Sequence, residues 1–421
     1  MKISTRAVMG MYSLLWPAAL PALALSSRLR EGWRERTLSK VHSGPVDIWI
    51  QAASAGEAFL AREILLSLPS DTPLRVLVTS GTTQGMDILS RTCEELKPQK
   101  LLDVEHAYFP FDAPFLMKKA LRHYAPRLVV TLETELWPGF LAEAKKQNIP
   151  VLLINGRMSA GSFAGYVGIQ DFLRDIGPKK ILALNGKSTQ RYAVLFGHER
   201  VETMQNIKFD RCPTEAPVLP EDHPLSRLLG VGDEVLVLGS VRKEEEPDIL
   251  ETLQILHRER PKTTIALFPR HMTRLDFWSK VLYETGLPVV LRSQLTTAPA
   301  PGTIILWDAF GELGAAYSLA SAAFVGGSLK PLGGQNFLEP LIHGLVPVIG
   351  PHWKNFDWVG REIVESGLVC EVTDARQLAR QVIVSLENPQ PKNAVQKRAA
   401  EYISARTGGT AQAVACILRH L

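Results

Sequence analysis

The stretch Phe324-Val325-Gly326-Gly327-Ser328-Leu329-Lys330-Pro331-Leu332-Gly333-Gly334-Gln335-Asn336-Phe337-Leu338-Glu339-Pro340 decides how this chain is read. The apolar run Ala322–Val325 reads as the end of a buried strand. Two glycine pairs then bracket a loop, and Asn336–Glu339 opens a helix. Glycine lets the backbone approach a ligand where a Cβ would block it. A helix N-terminus offers unpaired N–H groups and the positive end of a dipole to an anion. A tight turn between two core elements is the plain alternative, and a lone pair would favour it. Two pairs followed by Asn and Glu at a helix start point instead to a nucleotide site.

Working outward, strands and helices alternate on both sides of this stretch. In the first half the strand-like runs are Val46–Gln51, Arg75–Thr79, Leu128–Leu132, Val151–Ile154 and Lys180–Leu184, with a further strand near Val201. In the second half they are Glu234–Leu238, Thr263–Phe268, Pro288–Leu291, Thr303–Trp307, Ala322–Val325 and Val346–Ile349, with a short one at Leu368–Val372. Near-continuous apolar runs suit parallel strands covered on both faces. The proline-rich segment Pro213–Val231 reads as a linker. The expectation is α/β: residues 41–215 as one Rossmann-like domain and 216–421, with its terminal helices, as another. The two would face across a cleft, with ligands at the C-terminal ends of strands.

Length and composition agree. At 421 residues the chain exceeds one ordinary core, and 46% hydrophobic with 21% charged residues is that of a globular protein. A net charge of +4 does not argue for nucleic acid. Cys93, Cys212, Cys370 and Cys416 lack metal-ligand spacing, as do the histidines, so neither a metal site nor a disulfide framework is expected. Residues 1–40 stand apart as an anchor with a basic flank. Residues 7–27 carry no charge, and roughly 20 apolar residues cross a bilayer. Pro17 and Pro21 would kink such a helix. Arg28, Arg30, Arg34, Arg36 and Lys40 follow it, which leaves the body of the protein on the cytoplasmic side. A spanning anchor is the first reading, a kinked interfacial helix the second and a cleaved signal the third.

Polar residues at strand ends carry the candidate chemistry. Ser54-Ala55-Gly56-Glu57 follows the first strand, so Glu57 is either an ordinary acid at a helix start or a general base with a tuned pKa. Glu133 and Glu135 follow the strand ending at Leu132, either as acids before a helix opened by Pro138 or as groups that bind sugar hydroxyls or meet positive charge. Lys208 follows the strand near Val201. In the second half, Pro269-Arg270 ends a strand, and an arginine there suits a phosphate. Phe310-Gly311-Glu312 follows the Trp307 strand, with backbone N–H groups for a phosphate or a base. Together with Asn336–Glu339 these would converge on one edge. No Walker lysine loop, no Gly-x-Gly-x-x-Gly after a first strand and no Asp-x-Asp are present.

These motifs resemble the 3-deoxy-D-manno-octulosonic acid (Kdo) transferases, bacterial inner-membrane enzymes of GT-B glycosyltransferase fold. The resemblance rests on Ser54–Glu57, Tyr108–Asp112, Glu133–Pro138, Asn155–Ser159, Lys208–Asp210, Pro269–His271, Gly311-Glu312, Gly326–Pro340 and Gly350–His352. It implies inverting transfer of Kdo from CMP-Kdo to a lipid A precursor, lipid IVA, without a cofactor. Glu57 would be the base, with Glu133, Glu135 and Lys208 positioning substrate or meeting charge. Pro269, Arg270, Phe310, Gly311, Glu312, Asn336, Phe337, Leu338 and Glu339 would hold CMP. The acceptor domain would be the first and the donor domain the second, with anionic inner-membrane lipid as a further partner. Gln335, where the family has histidine, and Val241-Arg242-Lys243, where it has Thr-His-Glu, depart from the pattern near the donor site. Another metal-independent GT-B enzyme using a UDP-sugar, and a non-catalytic nucleotide-sugar or lipid A binder, stand as the other readings.

Overall fold

The computed structural model describes residues 1–69, 73–98, 101–220, 222–229 and 234–421. The chain divides into two units, Met1–Arg211 with Arg406–Leu421, and Cys212–Ala405.

The first unit is built on seven parallel strands, β1 (Ile48–Ala52), β2 (Leu74–Ser80), β3 (Leu102–Tyr108), β4 (Leu128–Leu132), β5 (Val151–Gly156), β6 (Lys180–Leu184) and β7 (Val201–Met204). Their order is β3-β2-β1-β4-β5-β6-β7. The chain turns back between β1 and β4, and the segments after those two strands therefore leave side by side. Central strands are buried along their length, as their near-continuous apolar runs require. β3 was not expected. Asp103, Glu105 and His106 break its apolar pattern, which its place at the sheet edge allows.

The last helix, Gly409–His420, belongs to this first unit, which corrects its expected place in the second half. Ala413, Val414, Cys416 and Ile417 bury themselves in the core beneath β4 and β5. Asp210 seats the start of the segment, accepting from the backbone N–H of Gly408 and Thr410 at 2.6 Å each.

The second unit repeats the plan with β8 (Val235–Val241), β9 (Thr264–Pro269), β10 (Val289–Leu291), β11 (Ile304–Leu306), β12 (Ala322–Val325), β13 (Val348–Ile349) and β14 (Cys370–Glu371). All are parallel, in the order β10-β11-β9-β8-β12-β13-β14, and the reversal lies between β8 and β12. Part of the expected linker is core instead: Leu225, Leu228 and Leu229 are buried beside β8 and β9. Residues 221, 230 and 231 of that linker lie outside the described residues.

The helix Ile3–Ala24 is long and apolar enough to cross a membrane. One flank of it nonetheless packs on the first unit. Met9 is buried there, and Tyr12, Trp16, Leu20 and Leu23 lie against the same cluster. The Tyr12 hydroxyl donates to Asp112 at 2.9 Å, and Asp112 also accepts from the N–H groups of Gly139 and Phe140, at the start of helix Pro138–Lys146. The opposite flank, with Val8, Met11, Leu14 and Leu15, is exposed. Arg36, read as part of the basic flank, is buried; it donates to the carbonyls of Glu31 and Gly81 and lies over the Tyr108 ring.

Asp112 thus joins two helices through one buried carboxylate. Asp112→Ala leaves two backbone donors without an acceptor and should cost about 2–4 kcal/mol of stability, read by chemical denaturation in detergent. A loss below about 0.5 kcal/mol would remove Asp112 as the tie.

Candidate active site

In the first unit, four residues from distant parts of the chain meet at the reversal point of the sheet. Glu57 lies in the first turn of helix Ala55–Leu66, directly after β1. Its Oε2 accepts from the backbone N–H and the hydroxyl of Ser54, both at 2.7 Å. This is a capping box, so the ordinary role of a helix-start acid is fulfilled. The carboxylate is nevertheless only 5% exposed, and burial raises its pKa against the pull of Ser54, with the nearby Glu133 adding to the rise.

Glu133 follows β4 in a left-handed backbone conformation, φ 53°. Only Asn, Asp and Gly adopt that region readily, so the position is strained for glutamate. The turn directs its carboxylate between two cations, Lys208 Nζ at 2.7 Å and Arg157 Nε at 2.7 Å. Tyr192, fully buried, donates to the Glu133 carbonyl at 3.1 Å and braces the turn. Glu135 is the third carboxylate. Desolvation, then repulsion from Glu57, raises its pKa to about 7, although the Trp137 indole N–H donates to it. Gln51, fully buried on β1, presents its amide to the same carboxylate.

In the second unit the loop after β12 differs from its expected form. The backbone N–H groups of Gly327, Ser328 and Leu329 already have an anion, the buried Glu245 carboxylate, at 2.6, 2.9 and 2.9 Å. Glu245 follows β8, so it crosses the reversal point of its own sheet to hold the loop. Glycine is required at Gly326, where a Cβ would lie 2.6 Å from the Ser240 carbonyl. The helix that follows, Leu338–Ile342, is a single short turn rather than the extended dipole expected.

The other candidate positions divide into committed and open ones. Phe337 and Leu338 are buried, Phe337 against Trp353 and Phe356. Asn336 is exposed and caps the short helix, accepting from Leu338 N–H at 3.2 Å. Glu312 is held by Arg292 at 2.9 and 3.0 Å and by the Trp307 indole N–H at 2.9 Å. Pro269 ends β9, Arg270 beyond it is exposed, and Phe310 is exposed beside Gly311 at φ 83°. Glu339 is partly buried, and desolvation raises its pKa. They follow β9, β11 and β12, which with β8 form the run β11-β9-β8-β12 of the sheet.

A family model described as 3-Deoxy-D-manno-octulosonic-acid transferase (kdotransferase) matches residues 31–211. The chain is 30% identical over 371 residues to the 3-deoxy-D-manno-octulosonic acid transferase of Bordetella pertussis, covering 86% of this chain and 85% of that one. It is 30% identical over 348 residues to the Haemophilus influenzae enzyme of the same name, covering 82% and 80%. The chain belongs to the Kdo transferase family. It is a glycosyltransferase, and its chemistry is Kdo transfer in lipopolysaccharide synthesis. Among solved structures it is similar to UDP-GlcNAc 2-epimerase from Neisseria meningitidis (TM-score 0.55, 13% identity, 89% of this chain and 100% of that one). It is also similar to a glycosyltransferase from Rickettsia africae (TM-score 0.54, 12% identity, 90% and 99%). Those likenesses place the transferase in the GT-B fold.

Of the sequence candidates in the first unit, Glu57, Glu133, Glu135 and Lys208 come together in the transferase. Arg157 and Gln51 were not among them. Arg157 had the same signal as Glu133, a charged residue just beyond a central strand. Glu245 had none, since Glu244-Glu245-Glu246 reads as a solvated charge run.

The raised pKa of Glu135 has a signed consequence. Below about pH 4.5 it is neutral in both folded and unfolded chains; between 4.5 and 7 the folded chain binds more proton, so stability falls as pH rises. Above 7 the cost reaches roughly 3 kcal/mol. Glu135→Gln should therefore gain in Tm over the parent as pH goes from 5 to 8. A gap that stays constant would contradict this protonation.

Proposed function

We propose that this enzyme transfers Kdo from CMP-Kdo to a lipid A precursor of the lipid IVA type, with inversion, and that Glu57 is the general base. The observation that carries this reading is the desolvated Glu57 carboxylate at the end of β1, held by Ser54 and flanked by Glu133 and Glu135. A carboxylate stripped of water is a stronger base than one in solvent, and it takes the proton of the acceptor hydroxyl as that oxygen attacks the anomeric carbon. Positive charge builds on the sugar ring as the bond to CMP breaks. Carboxylates of the cluster face that charge, while Arg157 and Lys208 hold the Glu133 side chain in place.

Donor binding belongs to the second unit in this account. Arg270 pairs with the phosphate of CMP, whose charge grows as it leaves. Backbone around Phe310 and Gly311, with Asn336 and Glu339, holds the nucleoside. The loop Gly327–Leu329 acts as a rigid support, because Glu245 occupies its donors. Gln335 lies against Gly327, and Val241 against Gly326, so both departures from the family pattern fall on this one loop.

The N-terminal helix attaches the enzyme to the cytoplasmic face of the inner membrane. Its docked flank favours a helix lying in the interface, with Val8, Met11, Leu14 and Leu15 turned to lipid, over one that spans. Arg28, Arg30 and Arg34 are exposed beside it and draw anionic lipid.

Calorimetry with CMP and UDP, paired with mass spectrometry of a defined tetraacyl lipid A acceptor incubated with CMP-Kdo, tests the substrates. The expected result is tighter binding of CMP and an acceptor heavier by Kdo. Preference for UDP, or an unchanged acceptor, overturns the assignment.

A further inference from the structure

A cavity of about 940 Å³ lies on the first unit between the N-terminal helix and the helices Pro114–Tyr124 and Pro138–Lys146. Its walls follow from helical spacing. Pro114, Lys118 and Arg122 recur every fourth residue and form one stripe, and Arg6, Met9, Gly10 and Ser13 form the facing one. Gly10 leaves open space where any other residue would put a side chain, although glycine inside a helix costs about 1 kcal/mol relative to alanine.

The charges in the cavity are unbalanced. Arg6, Lys118, Arg122, Lys145 and Lys146 line it against one carboxylate, Glu143. Lys145 is paired with Asp175 at 2.7 Å and Lys146 with Glu143. Among the described residues, no carboxylate is in ion-pair distance of Arg6, Lys118 or Arg122. The negative end of helix Pro138–Lys146 also faces this region, and Lys145 and Lys146 in its last turn offset it. A second observation points to a ligand rich in oxygen. The Gln147 side-chain nitrogen, in the same wall, is buried and has no hydrogen-bond partner, which is costly unless an acceptor arrives from outside the chain.

We propose that this cavity binds the phosphate headgroup of an anionic membrane lipid, an inference that rests on the interfacial placement of the N-terminal helix. Three unpaired cations and the Gln147 amide meet the phosphate oxygens. Apolar surface adjoins the cavity at Phe115, which is 46% exposed, and at the exposed Leu14, one turn beyond Gly10. A free phosphate has no use for that surface, whereas acyl chains do. The site fixes the rotation of the helix about its own axis at the bilayer and orients the first unit.

Native mass spectrometry of the full chain from mild detergent, with co-sedimentation on phosphatidylglycerol and phosphatidylcholine vesicles, tests this. The parent should retain one phospholipid and prefer phosphatidylglycerol. Lys118→Ala/Arg122→Ala should lose the retained lipid and bind phosphatidylglycerol vesicles at least about tenfold more weakly. Gly10→Leu, which fills the cavity without changing charge, should also lose the retained lipid while still sedimenting through Arg28, Arg30 and Arg34. Retention of lipid by both variants overturns the headgroup site and leaves the membrane reading standing. Inorganic phosphate bound by the parent with no lipid retained overturns the choice of lipid. A parent that sediments with neither vesicle overturns both readings.

Discussion

Three carboxylates share the mouth of one parallel sheet, and that is tolerable only because one of them is neutralised twice over. Glu133 carries Lys208 and Arg157 on its two oxygens. Without those cations, three close carboxylates would repel one another in a site that water reaches poorly. With them, the site separates its members. Glu133 is held as a paired anion by Lys208 and Arg157, while Glu57 and Glu135 are pushed upward. Environments that drive like groups apart are how an active site assigns different roles to the same side chain.

The second unit solves the complementary problem with the same topology. Its glycine loop exposes consecutive N–H groups, a concavity that attracts an anion. The chain supplies that anion itself, from Glu245 at the end of the neighbouring strand. The loop is therefore preorganised before any ligand arrives. In the second unit that contact joins β8 and β12, where the sheet order reverses, whereas in the first the Glu133 pairs tie the end of β4 to the segments after β5 and β7.

Much of this was legible because central parallel strands leave a strong trace. Near-continuous apolar runs such as Leu128–Leu132 and Ala322–Val325 mark them, and charged residues just beyond their ends mark the candidate site. Edges are harder. β3 carries Asp103, Glu105 and His106, and its pairing is visible only once β2 lies beside it. Long-range placement is harder still. Helical periodicity shows that Gly409–His420 is amphipathic, but not that Asp210 and the core beneath β4 and β5 receive it. The glycine stretch misled for a specific reason. Spacing shows that N–H groups are clustered, whereas the carboxylate that occupies them lies some eighty residues earlier in an unremarkable run of glutamates. Phe337 and Leu338 likewise sit inside a motif and yet point into the core.

The central claim is that the desolvated Glu57 carboxylate takes the acceptor proton. The most direct measurement is the single-turnover rate of Kdo transfer by Glu57→Gln, which keeps the size and one hydrogen-bonding oxygen of the side chain. With folding and CMP affinity unchanged, the rate should fall by about 10²–10⁴-fold, the range for loss of a general base. A rate within a few-fold of the parent would contradict the account.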